Sequence, residues 1–171
     1  MRAHRFLMSV GAALGCAVLP ALAQTLTVVA KASDWTIYAH DGPAAKLCFA
    51  LSQPKEQDPK GAKRDPAYLY VSAWPKATVK SEISFKFGYP LKKGSEAVVT
   101  VNAAAFKLFA MADRAYVEDP VQEQKLLDSM KKSAKLTVKA QSERGTTTTD
   151  TYSLSGLGQA LQALAQGCPG E

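Results

Sequence analysis

Along most of the chain apolar and polar residues alternate with a period of two, the spacing of a strand that turns one face to a core. The alternation marks strands over residues 26–32, 35–39, 47–51, 68–74, 82–87, 97–101, 106–111, 136–140 and 146–154, with a short further segment over 115–117. It is cleanest in 82–87, where Ile83, Phe85 and Phe87 fall on one side and Ser84 and Lys86 on the other. In 68–74 both sides look covered, with Tyr68, Tyr70 and Trp74 opposite Leu69, Val71 and Ala73. Gly88-Tyr89-Pro90 and Lys92-Lys93-Gly94-Ser95 have the composition of turns. Residues 54–66 are polar, charged and flanked by prolines, and read as a long exposed loop.

Two segments follow a helical spacing instead. Asp119-Pro120 places a capping acid before a proline at the first turn, and Leu126, Leu127, Met130 and Ala134 recur on one side. Lys131, Lys132 and Lys135 sit toward the C-terminal end, where they favour the helix dipole. Near the end of the chain Leu157, Leu161 and Leu164 repeat at helical spacing, with Ser155 as the expected cap and Gly167 as the stop. About eight or nine strands with two short helices make a mainly β chain, and the expected architecture is a β-sandwich decorated by helices.

The first residues read differently. Arg2, His4 and Arg5 form a basic head, residues 6–18 are apolar, and Ala21-Leu22-Ala23 is a small-x-small triplet before Gln24. Residues 1–23 are expected to be a cleaved secretory signal peptide, and 24–171 a single β-sandwich domain. As a membrane anchor the apolar run is short of the roughly 18–20 residues a spanning helix needs, and Pro20 breaks it. As a lipoprotein leader, Ala13-Leu14-Gly15 before Cys16 is a poor lipidation box. Removal of residues 1–23 leaves 148 of the 171 residues and takes away two arginines and no acid, so the net charge falls from +6 to +4.

Removal also leaves two of the three cysteines, Cys48 and Cys168. An even pair in an exported protein most often forms a disulfide. Such a bridge closes a loop of about 120 residues, worth roughly 4–5 kcal/mol in chain-entropy models. Two free thiols and a pairing between chains are the alternatives. An apolar content of 47% with 21% charged residues excludes a disordered chain.

Candidate chemistry is sparse. His40 is the one histidine beyond the leader, but His40-Asp41-Gly42-Pro43 reads as a turn, and no serine or cysteine stands out as its partner. Ser52-Gln53-Pro54-Lys55 spells S-x-x-K with a proline inside it, and Ser129-Met130-Lys131-Lys132 spells it again; the S-D-N and K-T-G companions of that motif are missing. There is no P-loop, G-x-G-x-x-G, G-x-S-x-G or C-x-x-C, and the carboxylates lack the spacing of a calcium loop. No metal or cofactor is expected.

Cations are more numerous: Lys55, Lys60, Lys63 and Arg64 in the long loop, then Lys92, Lys93, Lys131, Lys132, Lys135 and Lys139. They solvate the surface, or they attract anionic envelope material. Nucleic acid is not an expected partner of an exported protein, and no basic stripe is interleaved with aromatics. The most informative stretch is Ser142-Glu143-Arg144-Gly145-Thr146 with residues 150–157. Arg144-Gly145 turns the chain between two strands. Arg144 is expected either to pair with Asp150 across the hairpin or to offer an anion contact at its tip, and Tyr152 to pack its ring while its hydroxyl finds a partner. Arg144, Lys92 and Lys93 are the candidate ligand contacts.

Several segments agree in order and spacing with one family. Residues 47–55 (Leu-Cys-Phe-Ala-Leu-Ser-Gln-Pro-Lys), Ser72-Ala73-Trp74-Pro75, residues 83–90 (Ile-Ser-Phe-Lys-Phe-Gly-Tyr-Pro), residues 142–157 and Cys168 resemble the invasion-associated locus B family of exported alphaproteobacterial proteins. The resemblance implies an immunoglobulin-like β-sandwich in the periplasm or at the outer membrane, with no catalytic motif to carry over. The chain departs from some members in having no cysteine in 36–39, so a second disulfide is not expected. The expected function is binding without catalysis, as an adhesion, host-interaction or envelope-assembly factor whose partner is a protein or an anionic glycan. A periplasmic hydrolase acting on cell-wall material and a structural envelope-stress protein are the alternatives.

Overall fold

The computed structural model describes residues 26–41, 46–73 and 82–166. The segment expected to be a signal peptide (residues 1–23), Trp74, Gly167 and Cys168 lie outside the described residues. Eleven strands and two helices are present among those described: β1 (Leu26–Ala32), β2 (Trp35–Asp41), β3 (Lys46–Ser52), β4 (Glu56–Asp58), β5 (Tyr68–Ala73), β6 (Glu82–Lys86), β7 (Glu96–Val101), β8 (Ala104–Met111), β9 (Arg114–Tyr116), α1 (Pro120–Lys131), β10 (Lys135–Gln141), β11 (Thr147–Ser153) and α2 (Leu157–Ala165). The mainly β class is as expected. The strand absent from the expectation is β4, inside the segment read as an exposed loop. Its residues Glu56, Gln57 and Asp58 are all exposed, so no buried face prints an alternation. His40 and Asp41, read as a turn, continue β2.

All pairings are antiparallel, and the strands hydrogen-bond as one sheet in the order β1-β2-β3-β5-β6-β9-β8-β7-β10-β11-β4. The ladder is unbroken, so facing layers are parts of one sheet rather than two separate sheets. That sheet must be strongly curled. Ser52 and Glu56 are four residues apart and so at most about 15 Å apart, whereas in a flat sheet β3 and β4 would lie eight strand spacings, or roughly 38 Å, from each other. The rings of Phe85 on β6 and Tyr152 on β11 confirm the curl: their centroids are 6.0 Å apart although four strands separate them in the ladder.

The concave side holds the core. Trp35, Ile37, Leu69, Val71, Ile83, Phe85, Val99, Leu108, Val138 and Tyr152 are buried in one cluster, together with residues of both helices. The inward residues of each strand are those the alternation selects, because slippage by one residue would turn every apolar side chain outward.

Helix α1 starts as expected: the Asp119 carboxylate accepts from the backbone N–H of Val121 at 2.7 Å, with Pro120 at the first helical position. It buries Leu126, Leu127 and Met130. Ala134 lies beyond the helix and is exposed; its carbonyl accepts from Leu154 N–H at 2.8 Å. Helix α2 packs against β1, β2, β3 and β5 through Leu157, Ala160 and Leu164. Its cap is Gly156, not Ser155. Gly156 has φ +90°, and a Cβ there would lie 2.0 Å from the Ala32 carbonyl oxygen, so only glycine fits this close approach of backbones.

Candidate functional site

Three loops meet over the β11 end of the sheet. The first is residues 62–65, from the long loop after β4. The second is the turn 88–90 after β6. The third is the β10–β11 hairpin. They enclose a half-open cleft of about 770 Å3, lined by Lys63, Arg64, Asp65, Tyr89, Ser142, Glu143, Arg144, Thr146 and Thr148 among others. Each loop is held by backbone bonds. Asp65 N–H donates to the Gly88 carbonyl at 3.0 Å, and Glu143 N–H to the Pro90 carbonyl at 3.0 Å. Leu91 bridges Ser142. Gly88 has φ +75°, and a Cβ on it would meet the Asp65 carbonyl oxygen at 1.9 Å, so glycine lets the first two loops touch. The hairpin turns at Glu143-Arg144-Gly145, with Ser142 N–H donating to the Thr146 carbonyl at 2.8 Å.

The floor of the cleft is a buried ion pair. Arg64 Nη1 donates to Asp150 Oδ2 at 2.9 Å, and Nη2 donates to Oδ1, a bidentate fork. The side chains are only 5% and 0% exposed. Arg64 Nη1 also donates to the Phe87 carbonyl at 3.2 Å, and its guanidinium lies over the Tyr89 ring, 5.7 Å from the centroid. Tyr89 hydroxyl and Thr148 hydroxyl are hydrogen-bonded at 2.5 Å.

Burial raises the Asp150 pKa above the usual carboxylate value, against the opposing hydrogen bond and charge of Arg64. Behind Asp150, Tyr152 is fully buried, and burial together with the Asp150 charge holds its hydroxyl well above the ordinary tyrosine range. The Tyr152 hydroxyl has no hydrogen-bond partner among the described residues, so the partner expected from its sequence is not found.

Two sequence expectations are corrected here. Asp150 does not pair with Arg144: in the register of the hairpin it stands opposite Val138, and Arg64 takes its carboxylate. Arg64 is not a solvated loop cation but the most buried charge of that loop. No local pattern announces this pair, because its members are 86 residues apart and meet only through tertiary structure.

Of the three expected ligand contacts, one lines the cleft and two sit on a turn beside it. Arg144 is exposed and lines the cleft. Lys92 and Lys93 are exposed on the adjoining turn, where Lys92 N–H donates to the Gln141 carbonyl at 2.9 Å. Cys48 is fully buried on β3, and α2, which leads to Cys168, packs against that strand.

The candidate catalytic residues stay apart. His40 is half-buried opposite Leu47 and Leu26 and lines neither cleft. Ser52 is buried, while Lys55 turns to Asp34 at 2.5 Å, so the S-x-x-K spelling brings no serine and lysine together. Among the described residues no group of three or more His, Cys, Asp or Glu is placed to hold a metal ion, and no helix is long and apolar enough to cross a membrane.

A second, smaller cleft of about 490 Å3 is lined by Glu82, Met111, Tyr116, Val117, Glu118, Pro120 and Glu123. Burial raises the pKa of Glu82 and Glu123. Glu123 Oε1 accepts from Ile83 N–H at 2.6 Å, which ties α1 to β6.

No curated protein and no solved structure matches this chain. A family model does match, over residues 35–165, from the first residue of β2 to the end of α2, and so over every element of both clefts. The chain therefore belongs to the invasion associated locus B (IalB) protein family.

Proposed function

We propose that the chain is an exported, envelope-associated binding module that holds an anionic glycan in the cleft between the long loop, the 88–90 turn and the β10–β11 hairpin. The IalB family is one of exported proteins and is not a known enzyme family. In this reading residues 1–23 are removed on export, and Cys48 pairs with Cys168 to fasten the tail to β3. The observation that carries the reading is the pairing of a buried, mutually satisfied floor with exposed cations at the wall. Arg64 is fully occupied by Asp150 and fixes the loops, while exposed Lys63, Arg144 and Thr146 remain at the wall. Lys92 and Lys93 add positive charge beside it. Asp65 and Glu143 also line the cleft, so selectivity comes from placement of donors rather than from a uniform positive field.

The test is titration of the purified protein with an acidic and a neutral glycan at two salt concentrations. Binding of the acidic glycan is expected to weaken with salt and to fall about tenfold or more in Arg144→Glu combined with Lys93→Glu, with the melting temperature unchanged. Equal binding of both glycans, or indifference to the charge reversals, overturns the reading.

A further inference from the structure

We infer that the protein holds internal water at one corner of its core, bound by the side chains of Trp35, Ser52 and Tyr152. Trp35 is 1% exposed, Ser52 1% and Tyr152 0%. The indole N–H and the two hydroxyls are the buried side-chain polar groups that have no hydrogen-bond partner among the described residues. Buried polar groups in folded proteins are almost always paired, with protein or with ordered water, because a bare one carries its full desolvation cost.

The fold gathers these three groups at one place. Thr36 stands opposite Leu51, so Trp35 and Ser52 form the next pair along β2 and β3. Both are buried, and side chains so placed have Cβ atoms roughly 5 Å apart. A junction of three segments brings Tyr152 to them. Lys55 N–H donates to the Thr151 carbonyl at 2.8 Å, Lys55 Nζ pairs with the Asp34 carboxylate at 2.5 Å, and Asp34 N–H donates to the Ser155 carbonyl at 3.3 Å. Trp35 directly follows Asp34, Tyr152 directly follows Thr151, and Ser52 lies three residues before Lys55. The ladder leads to the same corner: Ser52 stands opposite Leu69, Leu69 opposite Phe85, and the Phe85 ring meets that of Tyr152 at 6.0 Å. Helix α2, packed on β1, β2 and β3, closes the corner.

The chemistry of the three groups selects water. The indole donates one N–H and accepts nothing, whereas each hydroxyl both donates and accepts. A direct bond from the indole to Ser52 would leave Tyr152 bare. A water molecule accepts the indole proton and gives its own two protons to the hydroxyl oxygens, and three bonds are the usual number for buried water. All three groups are neutral, so an ion finds no counter-charge among them, and groups this enclosed admit nothing much larger than a solvent molecule. The hydroxyl partner that the sequence predicts for Tyr152 is then water. Tyr152 shares the inward side of β11 with Asp150, both being buried, so the hydrated corner lies behind the ion pair that floors the cleft.

A high-resolution crystal structure of the purified protein tests this directly. Water is expected within hydrogen-bonding distance of Trp35 Nε1, Ser52 Oγ and Tyr152 Oη. A dry corner, or three side chains bonded to one another instead, overturns the inference. Ser52→Ala and Tyr152→Phe test it in solution, since each deletes one hydroxyl and little else. Removing a bare hydroxyl relieves an unpaired group and stabilises the fold, whereas removing one bound to water strips a hydrogen bond. Each variant is therefore expected to raise the unfolding constant in urea titrations about fivefold. The double variant is expected to lose less than the two losses combined, because both hydroxyls act through the same water. A stabilising effect of either substitution, or losses that simply add, overturns the shared site.

Discussion

Replacing Arg64 by methionine tests how much of the fold hangs on one buried ion pair. The substitution keeps most of the buried length of the side chain and removes the charge. Asp150 then faces the core edge without a partner, and breaking a buried pair in this way costs about 3–5 kcal/mol. The structure sets an upper limit, because Asp150 can escape by taking up a proton. At pH 7, protonating a carboxyl whose ordinary value is 3.8 costs about 4 kcal/mol, at 1.36 kcal/mol per pH unit. The penalty is therefore expected to be about 3–4 kcal/mol at pH 7, and to shrink by roughly 1.4 kcal/mol for each unit the pH is lowered, toward a small residue near pH 4.

The assay is urea unfolding followed by intrinsic tryptophan fluorescence, to which buried Trp35 contributes, at pH 7 and pH 4.5. The double variant Arg64→Met with Asp150→Leu completes the cycle. It removes both charges and is expected to recover at least about 2 kcal/mol of the loss, since paired charges in contact couple by 0.5–3 kcal/mol. A single-variant cost below about 1 kcal/mol at pH 7, the worth of a solvent-exposed pair, would refute the reasoning. A cost that does not change with pH would refute it equally, because it would place the loss in packing rather than in the stranded carboxylate.

Other consequences can be checked on the same protein. Burial raises Glu123, so its proton is bound more tightly in the folded state; its contribution to stability is fully present below the unfolded value of 4.5 and is lost as pH rises through the higher folded value. Glu123→Gln keeps an acceptor for Ile83 N–H and is expected to raise the melting temperature at pH 7 but not at pH 3.5, as differential scanning fluorimetry reads. Gly156→Ala forces a Cβ against the Ala32 carbonyl at positive φ and is expected to cost on the order of 2–3 kcal/mol in urea unfolding. Asp119→Ala removes the α1 cap and is expected to cost about 1 kcal/mol by the same measurement. For the proposed Cys48–Cys168 bridge, mass spectrometry after alkylation without reductant is expected to show neither thiol labelled in the exported form; labelling of both under denaturing conditions would discard the bridge.

Strand after strand is legible in the sequence because each of these strands has one face against the core and a different chemistry on the other. Residues 82–87 show this at its plainest: Ile83, Phe85 and Phe87 are buried as their alternation demands. The signal fails where burial is not the force that makes the element. Strand β4 exists only because Gln57 stands opposite Asp150 in the ladder, and that pairing depends on the sheet having already curled. The start of α2 misleads for a related reason. Ser155 has the chemistry of a cap, but the Ala32 carbonyl passes so close that the chain must turn at Gly156 with positive φ. The position is decided by a neighbour more than a hundred residues away.

The cleft divides along the same line. Its exposed hairpin is readable, since Arg144-Gly145 at a hairpin tip is a local fact, as is the Lys92-Lys93 turn beside the cleft. Its floor is not. Arg64 sits among Lys60, Lys63 and Asp65 in a segment with every mark of solvation, and Asp150 sits in a run of threonines; neither neighbourhood hints at a charge with 5% exposure or less. A chain that folds a loop guanidinium under its own aromatic ring gains a fixed frame at the price of a carboxylate that only one residue can neutralise. The wall and the frame then make opposite demands on substitution. Exchanging Arg144 or Lys93 should change what is bound and leave stability alone, whereas exchanging Arg64 should unfold the loops and abolish binding as a consequence. Comparing binding with urea midpoints in the same set of variants separates the two: if Arg64→Met lost binding at full stability, Arg64 would belong to the wall, and the division drawn from its burial would be wrong.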